Sequence, residues 1–339
     1  MKVLFIGGTG TISMAITKQL AEEGHEVFLI NRGSRTRELP QSVKIINADI
    51  NDEDDVKSKI AGMSFDSVCD FIGFVPSQLE RDYRLFNGKT KQFMYISSAS
   101  AYHKPCRGYV ITEGTALANP YWEYSRNKIA CEDLLMKYYR EEGFPVTIIR
   151  PSHTYDERSV PLGVHGSKGS WQVVKRMLQG KPVIIHGDGT SLWTMTHNSD
   201  FAKGFCGLVG NPHAIGEAFQ ITNDETLTWN QIYECIADAL GVKLNAIHVS
   251  SELLASISDY DFTGSLIGDK ACSVVFDNSK LKKAVPEFKA TVHFEEGIRR
   301  TVENVVANPE LQQDDPEFDA WCDKVVKTME FIKQEFKKV

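Results

Sequence analysis

Much that would define other classes of protein is missing from these 339 residues. No apolar run reaches the length needed to cross a bilayer, so no membrane span is expected. Met1 and Lys2 lead straight into a strand-like segment without a charged leader, so no secretory signal is expected and the cytoplasm is the expected location. The seven cysteines are scattered, odd in number and never spaced Cys-x-x-Cys. That argues against a zinc site or a disulfide framework and makes most of them small buried hydrophobes. Positive charge is also short: 38 Lys and Arg stand against 45 Asp and Glu, for a net charge of -7. That balance disfavours nucleic acid as a partner. There is no internal repeat, low-complexity tract or linker. What remains is 42% apolar and 24% charged, an ordinary globular composition long enough for a large core and two lobes.

The first residues carry the strongest local signal. Lys2 to Ile6 is an apolar run, Gly7-Gly8-Thr9-Gly10 follows, and an amphipathic stretch begins at Thr11. Strand, tight turn and helix N-terminus in that order form a cradle for a dinucleotide pyrophosphate. Gly7 would make the turn, Gly10 would let the backbone approach the phosphates, and Thr9 and Thr11 would add hydroxyl donors. Ser13 stands where the spaced motif has its third glycine. Ile12, Ala15, Ile16 and Leu20 recur at helical spacing, Gly24 ends the helix, and Glu26 to Ile30 reads as the next strand. Further strands are expected at 43–46, 67–72, 92–97 and 146–149, with helices at 53–60, from Pro76, and over 121–141. The alternation predicts a doubly wound parallel α/β sheet of Rossmann type. The dinucleotide-binding domain is expected at 1–150, with returning segments from 151–220. A smaller C-terminal α+β substrate lobe would take the remainder of 151–339. The Pro-, Gly-, Ser- and His-rich stretch 152–169 reads as a long loop. The stripe Trp321, Val325, Met329, Ile332 and Phe336 on the last helix reads as core packing.

Tyr124 and Lys128 lie four apart in a helical segment and so share a face. A tyrosine normally ionises near pH ~10, and a neighbouring ammonium favours its phenolate. Such a phenol can exchange a proton with an alcohol or ketone near neutral pH. The pair follows a strand that ends in Ser97-Ser98-Ala99-Ser100-Ala101-Tyr102, which would bring serine hydroxyls to the carboxyl edge of the sheet, where ligands bind.

Together these segments resemble the extended short-chain dehydrogenase/reductase family, the NAD-dependent epimerase/dehydratase group. The resemblance runs through Gly7–Ser13, Asp49-Ile50, Ser97–Tyr102, Tyr124-Ser125-Arg126-Asn127-Lys128, Arg150–Tyr155 and Gly187-Asp188-Gly189-Thr190. It implies Ser98 as the catalytic hydroxyl, Tyr124 as the acid/base, and Lys128 as its partner that also holds the nicotinamide ribose. It further implies that Asp49 and Ile50 flank the adenine and that Pro151 and Ser152 lie beside the nicotinamide. A homodimer formed through the Tyr/Lys helix and the helix before it is common among such relatives.

Two departures shape the expected activity. The end of the second strand reads Asn31-Arg32-Gly33-Ser34-Arg35. It has no carboxylate for a ribose 2′-hydroxyl but has guanidinium groups suited to a phosphate. NADP is therefore expected over NAD, with Asn31, Arg32, Ser34 and Arg35 among the cofactor contacts. Ala99 and Ser100 stand where the family's dehydratases carry an acidic pair, so dehydration is not expected. Trp193 stands where sugar-nucleotide enzymes carry a phosphate-clamping arginine, and it could stack on a sugar ring. Ser100, His153 and Tyr155 are the other candidate substrate neighbours. The expected activity is an NAD(P)-dependent oxidoreductase or epimerase that transfers hydride at a secondary alcohol or ketone of a carbohydrate-like molecule. The alternative is an RNA-binding or NADP-sensing regulatory protein on the same scaffold, like the chloroplast stem-loop RNA-binding relatives.

Overall fold

In a computed structural model, which describes residues 1–33 and 39–338, seven parallel strands build one sheet. They are β1 (Lys2–Ile6), β2 (Glu26–Asn31), β3 (Lys44–Asn47), β4 (Ser67–Asp70), β5 (Phe93–Ile96), β6 (Val146–Pro151) and β7 (Ala218–Ile221). Their order across the sheet is β7-β6-β5-β4-β1-β2-β3. The order reverses between β1 and β4: Val3 pairs with Val27 on one side and with Ser67 on the other. A reversal of this kind opens a crevice at the carboxyl ends of the strands.

Alternation along β1 shows why the strands are so apolar. Val3 and Phe5 join a core with Val27 and Leu29 and with Ile16 and Leu20 of the helix that follows β1. Leu4 and Ile6 face the opposite core, with Phe28, Ile30, Val68 and Tyr95. Both faces are covered, so neither can be polar. Four helices matter to the site: α1 (Thr11–Glu22), α2 (Glu53–Lys59), α3 (Pro76–Phe86) and α4 (Glu123–Glu142). The Asp52 side chain caps α2 by accepting from Asp55 N–H. Gly143, at φ +70°, ends α4 in the left-handed conformation that a glycine adopts without strain.

The chain divides into two compact units: Met1–Thr154, Thr194–Asp224 and Phe276–Thr291 form the first, and Tyr155–Trp193, Glu225–Val275 and Val292–Val339 the second. In the second unit, strand Val183–His186 pairs in parallel with Ala246–Val249. There the buried Arg176 is clasped by Asp319 and Asp323 of the last helix, at 2.6 and 2.8 Å.

Two expectations change. The stretch read as one loop contains a short strand, His153–Tyr155. The stripe on the last helix is core only at its start: Val325 is buried, whereas Ile332 and Phe336 are 41% and 80% exposed. The apolar spacing continues past the point where the unit offers a surface to cover it.

Candidate active site

The glycine loop turns without a side chain because none fits. Gly7 and Gly8 both have φ of +99°, and a Cβ on Gly8 would come within 2.5 Å of Leu29 Cδ2. Gly10 differs. Its φ is -84°, and a Cβ there would meet only Ser13 Oγ, at 3.6 Å. Ser13 replaces a third glycine productively: its buried hydroxyl accepts from the Gly10 N–H at 2.9 Å. The Thr17 hydroxyl donates to the Gly8 carbonyl at 2.9 Å. Both fix the loop on α1, whose first turn carries no acidic residue and whose dipole presents its positive end there.

This loop borders a cavity of about 720 Å³. Gly7, Thr9, Gly10, Thr11, Ile12, Asn31, Arg32, Asp49, Ile50, Ser98, Tyr124, Lys128, Pro151 and Ser152 all line it. Ser34 and Arg35 lie outside the described residues. Gly8, Asn51, Ile72 and Phe74 also line it, although only Gly8 carries a sequence signal, its place in the glycine cluster. Asn31 Oδ1 accepts from the Gly33 N–H at 2.9 Å. Asp49 Oδ1 accepts from the backbone N–H and the side-chain amide of Asn51, both at 3.0 Å.

Lys128 lines the cavity from a buried position. It is 2% exposed, and its Nζ donates to the carbonyls of Gly73 and Ile96, both at 2.7 Å. Rings of Phe74, Tyr95 and Tyr124 surround the ammonium at 4.7, 4.9 and 5.8 Å from their centroids. Ring faces offset part of the cost of desolvating a cation. Burial still lowers its pKa to about 8, opposed by the charge of Asp70.

Ser98 begins a single 3-10 turn, Ala99–Ala101, and accepts from the Ser100 N–H at 3.1 Å. Its hydroxyl lies 2.9 Å from that of Ser100, to which the Ser125 hydroxyl donates at 2.7 Å. Ser100 therefore stands behind Ser98 and is not among the cavity-lining residues, nor is His153. Ser97 donates to Glu132 at 2.5 Å. Arg150 donates to both oxygens of the same carboxylate, at 3.0 and 2.6 Å, which ties β5 and β6 to α4 behind the site.

Tyr155 and Trp193 belong to the second unit. Each is 3% exposed. Tyr155 packs edge-on against Phe294, and Trp193 lies 5.7 Å from Trp229 between centroids. Among the described residues no cluster of His, Cys, Asp and Glu could hold a metal ion, and no helix is long and apolar enough to cross a membrane.

Comparison with known proteins places this geometry. A 2′-dehydrokanamycin reductase of Streptomyces kanamyceticus is 24% identical over 290 residues, covering 85% of this chain and 80% of that one. The chloroplast stem-loop binding protein of 41 kDa b of Arabidopsis thaliana is 28% identical over 253 residues, covering 71% of this chain and 63% of its own length. The fold matches a dTDP-glucose 4,6-dehydratase from Bacillus anthracis, solved in complex with NAD, with a TM-score of 0.72 at 18% identity over 91% of this chain and 98% of that one. The sequence profile that describes the NAD dependent epimerase/dehydratase family matches residues 3–222, a span holding every residue that lines the cavity. The chain belongs to the NAD dependent epimerase/dehydratase family.

Proposed function

We propose that the protein is an NAD(P)-dependent oxidoreductase or epimerase acting at a secondary alcohol or ketone of a carbohydrate-like substrate, with Tyr124 as the acid/base. One observation carries this reading: Ser98, Tyr124 and Lys128 line the same cavity as the glycine loop. That cavity suits a dinucleotide. It begins at a helix N-terminus without acidic residues, as a pyrophosphate needs. It then runs past Asn31, Arg32, Asp49 and Ile50. Arg32, in a strand end whose residues 31–35 include no Asp or Glu, supports NADP over NAD. A bound nicotinamide would supply or accept the hydride.

The protein's own part is to move a proton. In reduction, the Tyr124 hydroxyl gives its proton to the substrate oxygen, and the Ser98 hydroxyl donates a hydrogen bond to the same oxygen. The Lys128 ammonium beside the Tyr124 ring stabilises the phenolate left behind. Oxidation reverses each step. Ala99 and Ser100 supply no carboxylate to remove a proton from carbon, so the reading excludes dehydration. The reductase among the relatives supports ketone reduction. The second unit would form most of the substrate lobe, and pairing through α3 and α4 would give a homodimer, which a monomer mass in solution would refute.

The test is turnover of reduced cofactor with a panel of keto-sugars. Activity that Tyr124→Phe abolishes while cofactor binding persists supports the reading; equal turnover by the variant overturns it. Similarity to a stem-loop binding protein favours a second reading, RNA binding. That reading requires an affinity for stem-loop RNA that falls steeply with salt.

A further inference from the structure

The glycine loop follows β1, midway along the cavity. In the strand order β5-β4-β1-β2-β3, Ser98 follows β5 on one side of the loop. Asn31 and Arg32 at the end of β2, and Asp49, Ile50 and Asn51 after β3, lie on the other. A dinucleotide with its pyrophosphate on the loop and its nicotinamide at Ser98 and Tyr124 therefore lays its second nucleoside over the ends of β2 and β3. There a chain of polar contacts runs outward from the interior. Arg81, on α3, is 5% exposed and is not among the cavity-lining residues. Its Nε donates to Oδ1 of the fully buried Asp82 at 2.9 Å, and its Nη2 lies 2.8 Å from the same oxygen. Its Nη1 donates to Asn51 Oδ1 at 2.8 Å. An arginine only donates, so it decides which way the Asn51 amide faces. The amide oxygen turns to Arg81, and the amide nitrogen donates to Asp49 Oδ1 at 3.0 Å. The Asn51 backbone N–H donates to that same oxygen, also at 3.0 Å. Asp49 Oδ1 is thereby occupied twice, while Oδ2 meets no donor among the described residues.

We propose that Arg81 is a positioning residue for base selection: through Asn51 it holds the Asp49 carboxylate with one oxygen free, as an acceptor for the exocyclic amine of the bound purine. Adenine carries a donor at that position, whereas a 6-oxopurine such as hypoxanthine carries an acceptor, which repels a carboxylate oxygen. Ile50, 6% exposed, joins the core with Val56 and Leu79 and gives the base an apolar wall. The turn that carries these residues does not need Arg81 to keep its course. The Asp52 N–H donates to the Asp49 carbonyl at 3.0 Å. Asp52 caps α2, and Arg84 of α3 donates to Glu53 of α2 at 3.2 Å. What Arg81 adds is the direction of one amide, and with it the aim of one carboxylate.

This selection rests on the dinucleotide binding proposed above, and the test separates the two. Calorimetric titration compares NADP with nicotinamide hypoxanthine dinucleotide phosphate in the wild type, Arg81→Lys, Asn51→Ala and the double variant. Arg81→Lys keeps a cation for Asp82 but lacks the planar fork that reaches Asp82 and Asn51 together. Should it fail to fold, Arg81→Met/Asp82→Leu removes the buried pair as a unit; Asn51 is exposed, so its truncation disturbs no core. The wild type should bind NADP about tenfold tighter, or more, than the hypoxanthine form. Each single variant should cut that ratio to about threefold or less, and the double variant no further, because both residues act through one chain of contacts. A purely structural role would weaken both dinucleotides alike and leave the ratio unchanged. An unchanged ratio in the variants, or a wild type indifferent to the base, overturns the proposal and leaves the proposed function standing. A wild type that binds neither dinucleotide overturns both.

Discussion

At the scale of single residues, the site sets a phenol beside an ammonium that the fold has partly desolvated. Tyr124→Phe should lower turnover by about a hundredfold or more and leave the cofactor dissociation constant within about twofold, as fluorescence titration would show. Lys128 also gives the site a pH signature. Its folded pKa, about 8, lies below the ordinary lysine value of 10.5. Between these values the unfolded chain binds more protons at this position, so the Lys128 contribution to stability rises with pH across that window. Below about pH 8 the lysine is charged in both states and its burial penalty is constant. Urea unfolding of the wild type and Lys128→Met across the window should show the wild type gaining on the variant as pH rises. Support for the Tyr124 phenolate runs the other way and weakens as pH climbs through about 8. Arg32→Ala should weaken NADP binding by about tenfold and leave NAD binding nearly unchanged.

At the scale of elements, the glycine loop and the strand–helix alternation were legible in the sequence because each is local. An apolar run, a glycine cluster and a 3.6-residue period need no partner to be recognised. Gly7 and Gly10 were accordingly identified, whereas the need for Gly8 depends on Leu29 of β2, a contact that exists only after folding. Gly8→Ala should cost about 1–3 kcal/mol in denaturant unfolding. The Glu132–Arg150 pair was illegible for the same reason: it joins α4 to β6. The last helix shows the converse error, since a periodic apolar stripe says which face could be buried and not how far along a partner extends. Arg150→Met would leave the Glu132 carboxylate buried against Ser97 without its cation. It should destabilise by about 3–5 kcal/mol, and the double change Glu132→Gln/Arg150→Met by less. Urea unfolding of the single and double variants tests both.

At the scale of the molecule, the cavity that holds Ser98, Tyr124 and Lys128 sits at the carboxyl ends of the strands, at the reversal of strand order. Its walls come from the glycine loop, the ends of β2, β5 and β6, the segment after β3, and the first turns of α4. A ligand there should stabilise the whole first unit, since it binds only the folded form; at a hundred times its dissociation constant it adds about 2.7 kcal/mol. The most direct measurement is calorimetric titration of NADP into the wild type and into Tyr124→Phe. The account predicts saturable one-site binding to both, tighter than NAD in each. Failure of the wild type to bind either dinucleotide would contradict it.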